Sequence, residues 1–295
     1  MRRLLTALVL LATAAGQDDI QQARKLISEG KLELALALYE SVLEKTRDSY
    51  DANLGAGMVL DLDGQYSKAR KYLSKAIAVA PAQSRARALT AMAISYAFTR
   101  DCKDSSKYEK EVYDLWVSAQ DWTAAAEVAN EAGRICLESG SVDEAEQWYR
   151  NGHETALKRP DLSAAETDLW TLRWESAEAR IAARGGRHAA AAQQHVTALK
   201  ALVEKGNNPA QAPFYPYVAG YVAFYTGDYK SAVGELEKAD QRDPFILSLL
   251  AQSLEKDGKK EKALELYRKI MTINIHNPTN AFARPLARKK LGRSV

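Results

Sequence analysis

Between Pro216 and Pro244, apolar residues recur at helical spacing (Val218, Tyr221, Val222, Tyr225). The pattern breaks at Thr226-Gly227-Asp228, then resumes through Tyr229, Ala232, Val233 and Leu236 until Pro244 stops it. This stretch predicts a helix-turn-helix hairpin. Gly220 and Ala232 are small, so the two helices can approach closely, and Gly227 supplies the permissive backbone of a tight turn. One hairpin of this size leaves an apolar face uncovered, which predicts further copies to bury it.

The copies follow from the turn glycines. With the glycine as origin, turns fall at Gly30, Gly64, Gly140, Gly186, Gly227 and Gly258, and Gly30 to Gly64 is a 34-residue step. Five residues after each stands an alanine: Ala35, Ala69, Ala145, Ala191, Ala232 and Ala263. Seven residues before each stands a small residue (Ala23, Gly57, Gly133, Ala179, Gly220, Ala251), and nine after stands a bulky one (Tyr39, Leu73, Tyr149, His195, Leu236, Tyr267). This register predicts that small positions on first helices receive bulky side chains. Between Pro81 and Trp122 a further hairpin is required, but Thr99-Arg100-Asp101 replaces the glycine turn and Ser105 or Ser106 the alanine, so that copy is degenerate.

With these residues in register, and with Gly64-Gln65-Tyr66 and Gly227-Asp228-Tyr229 as the closest turn motifs, the sequence resembles the tetratricopeptide repeat family. The resemblance implies an all-α fold: a right-handed superhelical solenoid of antiparallel helix hairpins, with residues 277–291 forming a C-terminal capping helix. Helices are expected at 83–99 and 104–119 for the degenerate hairpin and at 122–138 and 142–157 for the next. Ser163 is placed to cap a long helix reaching about residue 184. Gly206-Asn207-Asn208-Pro209 is the most linker-like stretch, giving an N-terminal sub-array over 17–205 and a C-terminal one over 210–291.

The N-terminus changes the picture of location. Arg2-Arg3, an apolar run from Leu4 to Ala12 and small residues through Gly16 read as a signal peptide over residues 1–16, cleaved between Ala14 and Gln17. A helix of about 12 apolar residues spans roughly 18 Å against roughly 30 Å of hydrocarbon, so no stable membrane span is expected. Export, to the periplasm or outside the cell, is the expectation. Cys102 and Cys136 would then meet an oxidising compartment; their repeat positions favour two separate thiols, with a disulfide as the alternative. The formal charge of +3 falls to about +1 once Arg2 and Arg3 leave with the leader, which argues against a nucleic-acid partner.

No catalytic constellation emerges. His153-Glu154 begins a zinc-protease pattern, but Leu157 stands where the second histidine belongs. Gly55-Ala56-Gly57 lies inside a helix, not at a strand-to-helix turn, and Asp61-Leu62-Asp63-Gly64 lacks the remaining oxygen ligands of a calcium loop. His188 and His195 occupy bulky repeat positions and read as packing residues. The chain is therefore expected to be no enzyme and to carry no cofactor or metal.

What the family resemblance implies instead is a groove lined by first helices. Its N-terminal part shows Arg24, Asp51, Leu54, Met58 and Asp61, its middle Arg87, Asn130, Arg134, Arg173 and Arg180, and its end Phe214, Tyr217, Tyr221 and Phe224. The expected partner is a protein or peptide, with an acidic segment on Arg134, Arg173 and Arg180 and an apolar side chain on the Tyr217 and Tyr221 patch. The arginine clamp that some family members use for C-terminal carboxylates is not reproduced, since its lysine and asparagine partners are missing. The alternatives are a self-associating structural component and an accessory subunit of an enzyme.

Overall fold

The structure is a computed structural model that describes residues 16–185 and 189–292. Apart from Gly16, the leader read at residues 1–16 lies outside them, as do the turn at Gly186 and His188. The described residues form seven antiparallel hairpins and a final helix. The hairpins pair α1 (16–28) with α2 (Leu32–Lys45), α3 (Tyr50–Asp63) with α4 (Tyr66–Val79), α5 (Arg85–Phe98) with α6 (Cys102–Ser118), and α7 (Trp122–Ser139) with α8 (Val142–Ala156). They continue as α9 (Ala164–Arg184) with α10 (Ala189–Glu204), α11 (Phe214–Thr226) with α12 (Tyr229–Leu236), and α13 (Pro244–Lys256) with α14 (Lys260–Met271). The chain ends in α15 (Pro278–Lys290), and no strand occurs among the described residues. No helix among them is long and apolar enough to cross a membrane.

The repeat register becomes a packing rule. A Cβ built on Gly57 would lie 2.6 Å from Leu73 Cγ, one on Gly133 2.9 Å from the Tyr149 ring, and one on Gly220 2.6 Å from Leu236 Cγ. Each of these glycines stands seven residues before its turn and meets the bulky residue nine after it, as the spacing predicts. The turns close with glycine in the left-handed region, Gly64 at φ 95° and Gly227 at φ 90°. The degenerate hairpin makes the same turn with Arg100 at φ 57°, a conformation that a side chain disfavours. Stacking of neighbours on both sides holds it there, with Arg100 donating to the Glu138 carbonyl on α7 at 2.7 Å.

Helix ends obey their caps. Ser163 and Glu166 form a reciprocal capping box at the start of α9, and hydrogen bonds from Ser163, then from Arg159, hold the Glu166 carboxyl down at about 2. The linker-like stretch folds back onto α9: Lys205 pairs with Asp168 at 2.7 Å, Asn207 donates to the same carboxylate at 2.6 Å, and Asn208 donates to the Ala165 carbonyl at 2.8 Å.

Two features depart from expectation. Cys102 and Cys136 form a disulfide that joins α6 to α7, with Cα atoms 4.7 Å apart. The expectation of two separate thiols is thereby corrected: Cys102 is the first residue of α6, directly after the turn, and adjacent-hairpin packing carries it to the inner face where Cys136 lies. The second departure is α15. It covers the last hairpin through α13 and α14, as a capping helix should, but it also crosses the superhelix to pack on α5 and α7. Arg284 and Arg288 donate to the Leu62 carbonyl at 2.7 and 2.9 Å, and His276 pairs with Asp61 at 2.8 Å. Asp61, expected to face an open groove, is fully buried and also accepts from Ser95 at 2.8 Å. One apolar cluster consequently runs from Leu62 to Ala287.

Candidate functional site

Closure by α15 converts the middle of the groove into a chamber of about 420 Å3. Its walls come from α7 (Glu127, Asn130, Glu131, Arg134), Tyr149 on α8, α9 (Arg173, Ser176, Arg180), Gln211 and Phe214, and Asn277, Pro278 and Thr279 at the start of α15. Five residues assigned to the groove from sequence, Asn130, Arg134, Arg173, Arg180 and Phe214, thus meet around one space. Positions three or four apart on a helix share a face, which is why α7 and α9 each present several side chains here.

The arginines differ in their surroundings. Arg173 is half-buried, pairs with Glu127 at 2.5 Å, and lies with its guanidinium 4.5 Å from the Trp170 ring centre. Arg180 is buried; its Nε donates to the Ser176 carbonyl at 3.0 Å, and its guanidinium lies 5.3 Å from the Tyr149 ring. Arg134 lies over the rings of Phe245 at 5.2 Å and Tyr217 at 6.0 Å, and its Nε is buried without a hydrogen-bond partner. Neither Arg134 nor Arg180 forms an ion pair with a carboxylate among the described residues, although Asp243 and Glu131 act on the Arg134 charge, and Glu138 on that of Arg180, from further away. The Tyr149 hydroxyl and Ser176 Oγ, both on the chamber wall, are also buried and unpartnered, as is the Tyr217 hydroxyl beneath the two guanidiniums. Burial raises both phenols, so they stay protonated and keep an O–H to donate.

The aromatic part of the expected site is corrected. Tyr217 is 2% and Tyr221 0% exposed, so neither offers an anchoring patch. They pack edge-on to each other with ring centres 6.1 Å apart, and both contact Phe245 of the next hairpin. The Tyr221 hydroxyl donates to Glu138 at 2.9 Å, and Arg184 holds the same buried carboxylate at 3.1 Å. Phe224 lies apart from the chamber, against Tyr225 and Tyr229. Only Phe214 remains half-exposed beside the arginines, as a wall between the chamber and a second cavity of about 440 Å3 lined by Tyr217, Arg242 and Asp243.

Sequence reasoning missed Tyr149, Ser176 and the start of α15. Tyr149 carried a signal, but one for packing, and the approach of Asn277 to Thr279 follows from long-range closure that no local pattern encodes. His195 pairs with Glu175 at 2.7 Å on the neighbouring helix, and His153 stacks on Trp174 with ring centres 5.4 Å apart. Among the described residues the one group with metal-ligand geometry is Cys102, Cys136 and Glu144, whose two sulfurs are bonded to each other.

Two family models described as tetratricopeptide repeat match the chain, at residues 26–93 and 217–278. A tetratricopeptide repeat protein from Parabacteroides merdae ATCC 43184 superimposes with a TM-score of 0.52 at 13% identity, covering 87% of this chain and 92% of its own. The pilF protein of Pseudomonas aeruginosa aligns over 83% of this chain and 99% of its own at 16% identity, with a TM-score of 0.48. Comparison with proteins of curated function gives no match. The hairpins between the two matched segments keep the same close contact at Gly133 and the same stacking although their turn residues have drifted. The chain carries tetratricopeptide repeats, matched at both ends of the array.

Proposed function

We propose that this protein is an exported, non-enzymatic scaffold that binds a protein partner in the cell envelope or outside the cell. A tetratricopeptide array supports the protein-partner part of this reading, because stacked hairpins present side chains from successive first helices along one continuous surface. The Cys102–Cys136 bond supports export, since such bonds persist in oxidising compartments. The observation that carries the choice of surface is the convergence of Arg173 and Phe214 at the chamber mouth, both half-buried. An acidic partner segment takes the place of Glu127 on Arg173 there and rests an apolar side chain on Phe214. The aromatic contact holds and the charges orient, since burying such a side chain is worth about 1.5 to 3 kcal/mol and an exposed ion pair about 0 to 1.

Crosslinking in native cells with the parent chain and with Arg173→Glu combined with Phe214→Ala tests the surface. Loss of the captured partner by the folded double variant is expected; an unchanged capture pattern removes this surface from the reading. Export is tested separately by fractionation and mass measurement of the mature N-terminus. A start between residues 15 and 17 is expected, and an intact Met1 in the cytoplasm refutes export.

A further inference from the structure

We propose that the chamber is a binding site for a small organic acid or organic phosphate, with its oxyanion on Arg134 and Arg180 and its apolar body against Phe214. The site lies behind the partner surface and does not depend on the partner reading. Two guanidiniums face one space, and neither forms an ion pair with a carboxylate among the described residues. The buried carboxylate nearest in chemistry, Glu138, is already engaged by Arg184 and Tyr221. Asp243 caps α13 through the backbone N–H groups of Phe245 and Ile246, makes no ion pair with Arg134, and offsets only part of its charge from a distance. Burying like charges together costs free energy that a bound anion removes.

The remaining polar groups fit the same ligand. The hydroxyls of Tyr149 and Ser176 are buried, unpartnered and on the wall, so each has an O–H for an oxyanion. The N-terminal turn of α15, at Asn277, Pro278 and Thr279, brings the positive end of a 13-residue helix to the same space. Two carboxyls also line the wall. Glu127 pairs with Arg173 at 2.5 Å, and burial raises the Glu131 carboxyl while the nearby Arg134 charge opposes that shift. A volume of about 420 Å3 exceeds what a bare phosphate fills and lies in the range of small-molecule sites. Phe214 and Pro278 supply the apolar wall for the rest of the ligand.

Calorimetric titration of the purified mature chain with benzoate, phenyl phosphate and inorganic phosphate tests the proposal at constant ionic strength. Saturable binding of benzoate or phenyl phosphate is expected, tighter than that of inorganic phosphate, and the tighter of the two names the anion. Arg134→Met and Arg180→Met each weaken it about tenfold or more. Tyr149→Phe and Ser176→Ala preserve the packing and weaken it about two- to tenfold per hydroxyl. If an arginine variant does not fold, the hydroxyl variants decide. No saturable binding by the parent up to about 10 mM probe, or equal affinities in the parent and the folded variants, overturns the site.

Discussion

Replacing Gly220 by alanine tests the packing rule on which the repeat reading rests. In an open helical position this change stabilises by about 1 kcal/mol, because glycine is the poorer helix former. At Gly220 the added Cβ meets Leu236 Cγ at 2.6 Å, Leu236 Cδ2 at 2.9 Å and the Leu236 backbone nitrogen at 3.2 Å. Leu236 is 0% exposed, and the closest atom is its branch point rather than a free end, so the clash moves the helix and not a rotamer. Overpacking of this kind costs about 1 to 3 kcal/mol, which cancels or outweighs the propensity gain and leaves a net loss of about 0 to 2. The control lies in the same hairpin: a Cβ on exposed Gly234 meets nothing within 4 Å, so Gly234→Ala gains about 0.5 to 1 kcal/mol. Leu236→Ala alone costs about 2 to 5 kcal/mol through the cavity it opens. Combined with Gly220→Ala it costs at least about 1 kcal/mol less than the sum of the two, because the new methyl occupies part of that cavity. Urea denaturation followed by circular dichroism, with hydrogen exchange over residues 214–236, measures all four variants. Equal stability of Gly220→Ala and Gly234→Ala refutes the packing rule.

Glu109 is buried on α6 with Oε1 unpartnered, and burial, then the neighbouring Glu131 charge, raises its carboxyl well above the usual range. The folded state therefore keeps a proton that the unfolded chain releases above about pH 4, so stability falls as pH rises beyond that point. Glu109→Gln is expected to be more stable than the parent at pH 7 and to flatten the pH profile of thermal unfolding; an unchanged profile contradicts this. The disulfide closes a separation of 34 residues, so Cys102→Ser with Cys136→Ser costs about 3 to 4 kcal/mol. A reductant is expected to lower the parent to the level of that variant and leave the variant unmoved, as melting curves would read. Arg284 donates to the carbonyls of Leu62, Met271 and Ile273 at 2.7, 3.1 and 3.0 Å. Arg284→Met is expected to cost about 2 to 4 kcal/mol and to speed hydrogen exchange in both α3 and α15; a change confined to α15 would separate it from superhelix closure.

The sequence by itself determined the hairpins. Gly57, Gly133 and Gly220 announce their contacts with Leu73, Tyr149 and Leu236 because donor and receiver sit on adjacent helices joined by one short turn, where spacing dictates geometry. The cap of α9 at Ser163 was legible for the same reason, since its hydrogen bonds span only three residues. The convergence of Arg134, Arg173 and Arg180 was legible too, because first helices of successive hairpins stack in order.

Only the tertiary structure decided what happens when the superhelix comes round on itself. Nothing local in Asn277-Pro278-Thr279 indicates that α15 reaches Leu62 across more than 200 residues, or that His276 finds Asp61. Stacking of the adjacent hairpin, rather than that closure, explains why Tyr217 and Tyr221 failed as surface residues. Their helical face was read correctly, but the hairpin that follows brings Phe245 against both rings, and burial depends on that neighbour rather than on the face. The pairing of Cys102 with Cys136 has the same origin. Its geometry depends on the angle between two hairpins, and summed side-chain packing sets that angle while leaving no periodic trace in the chain.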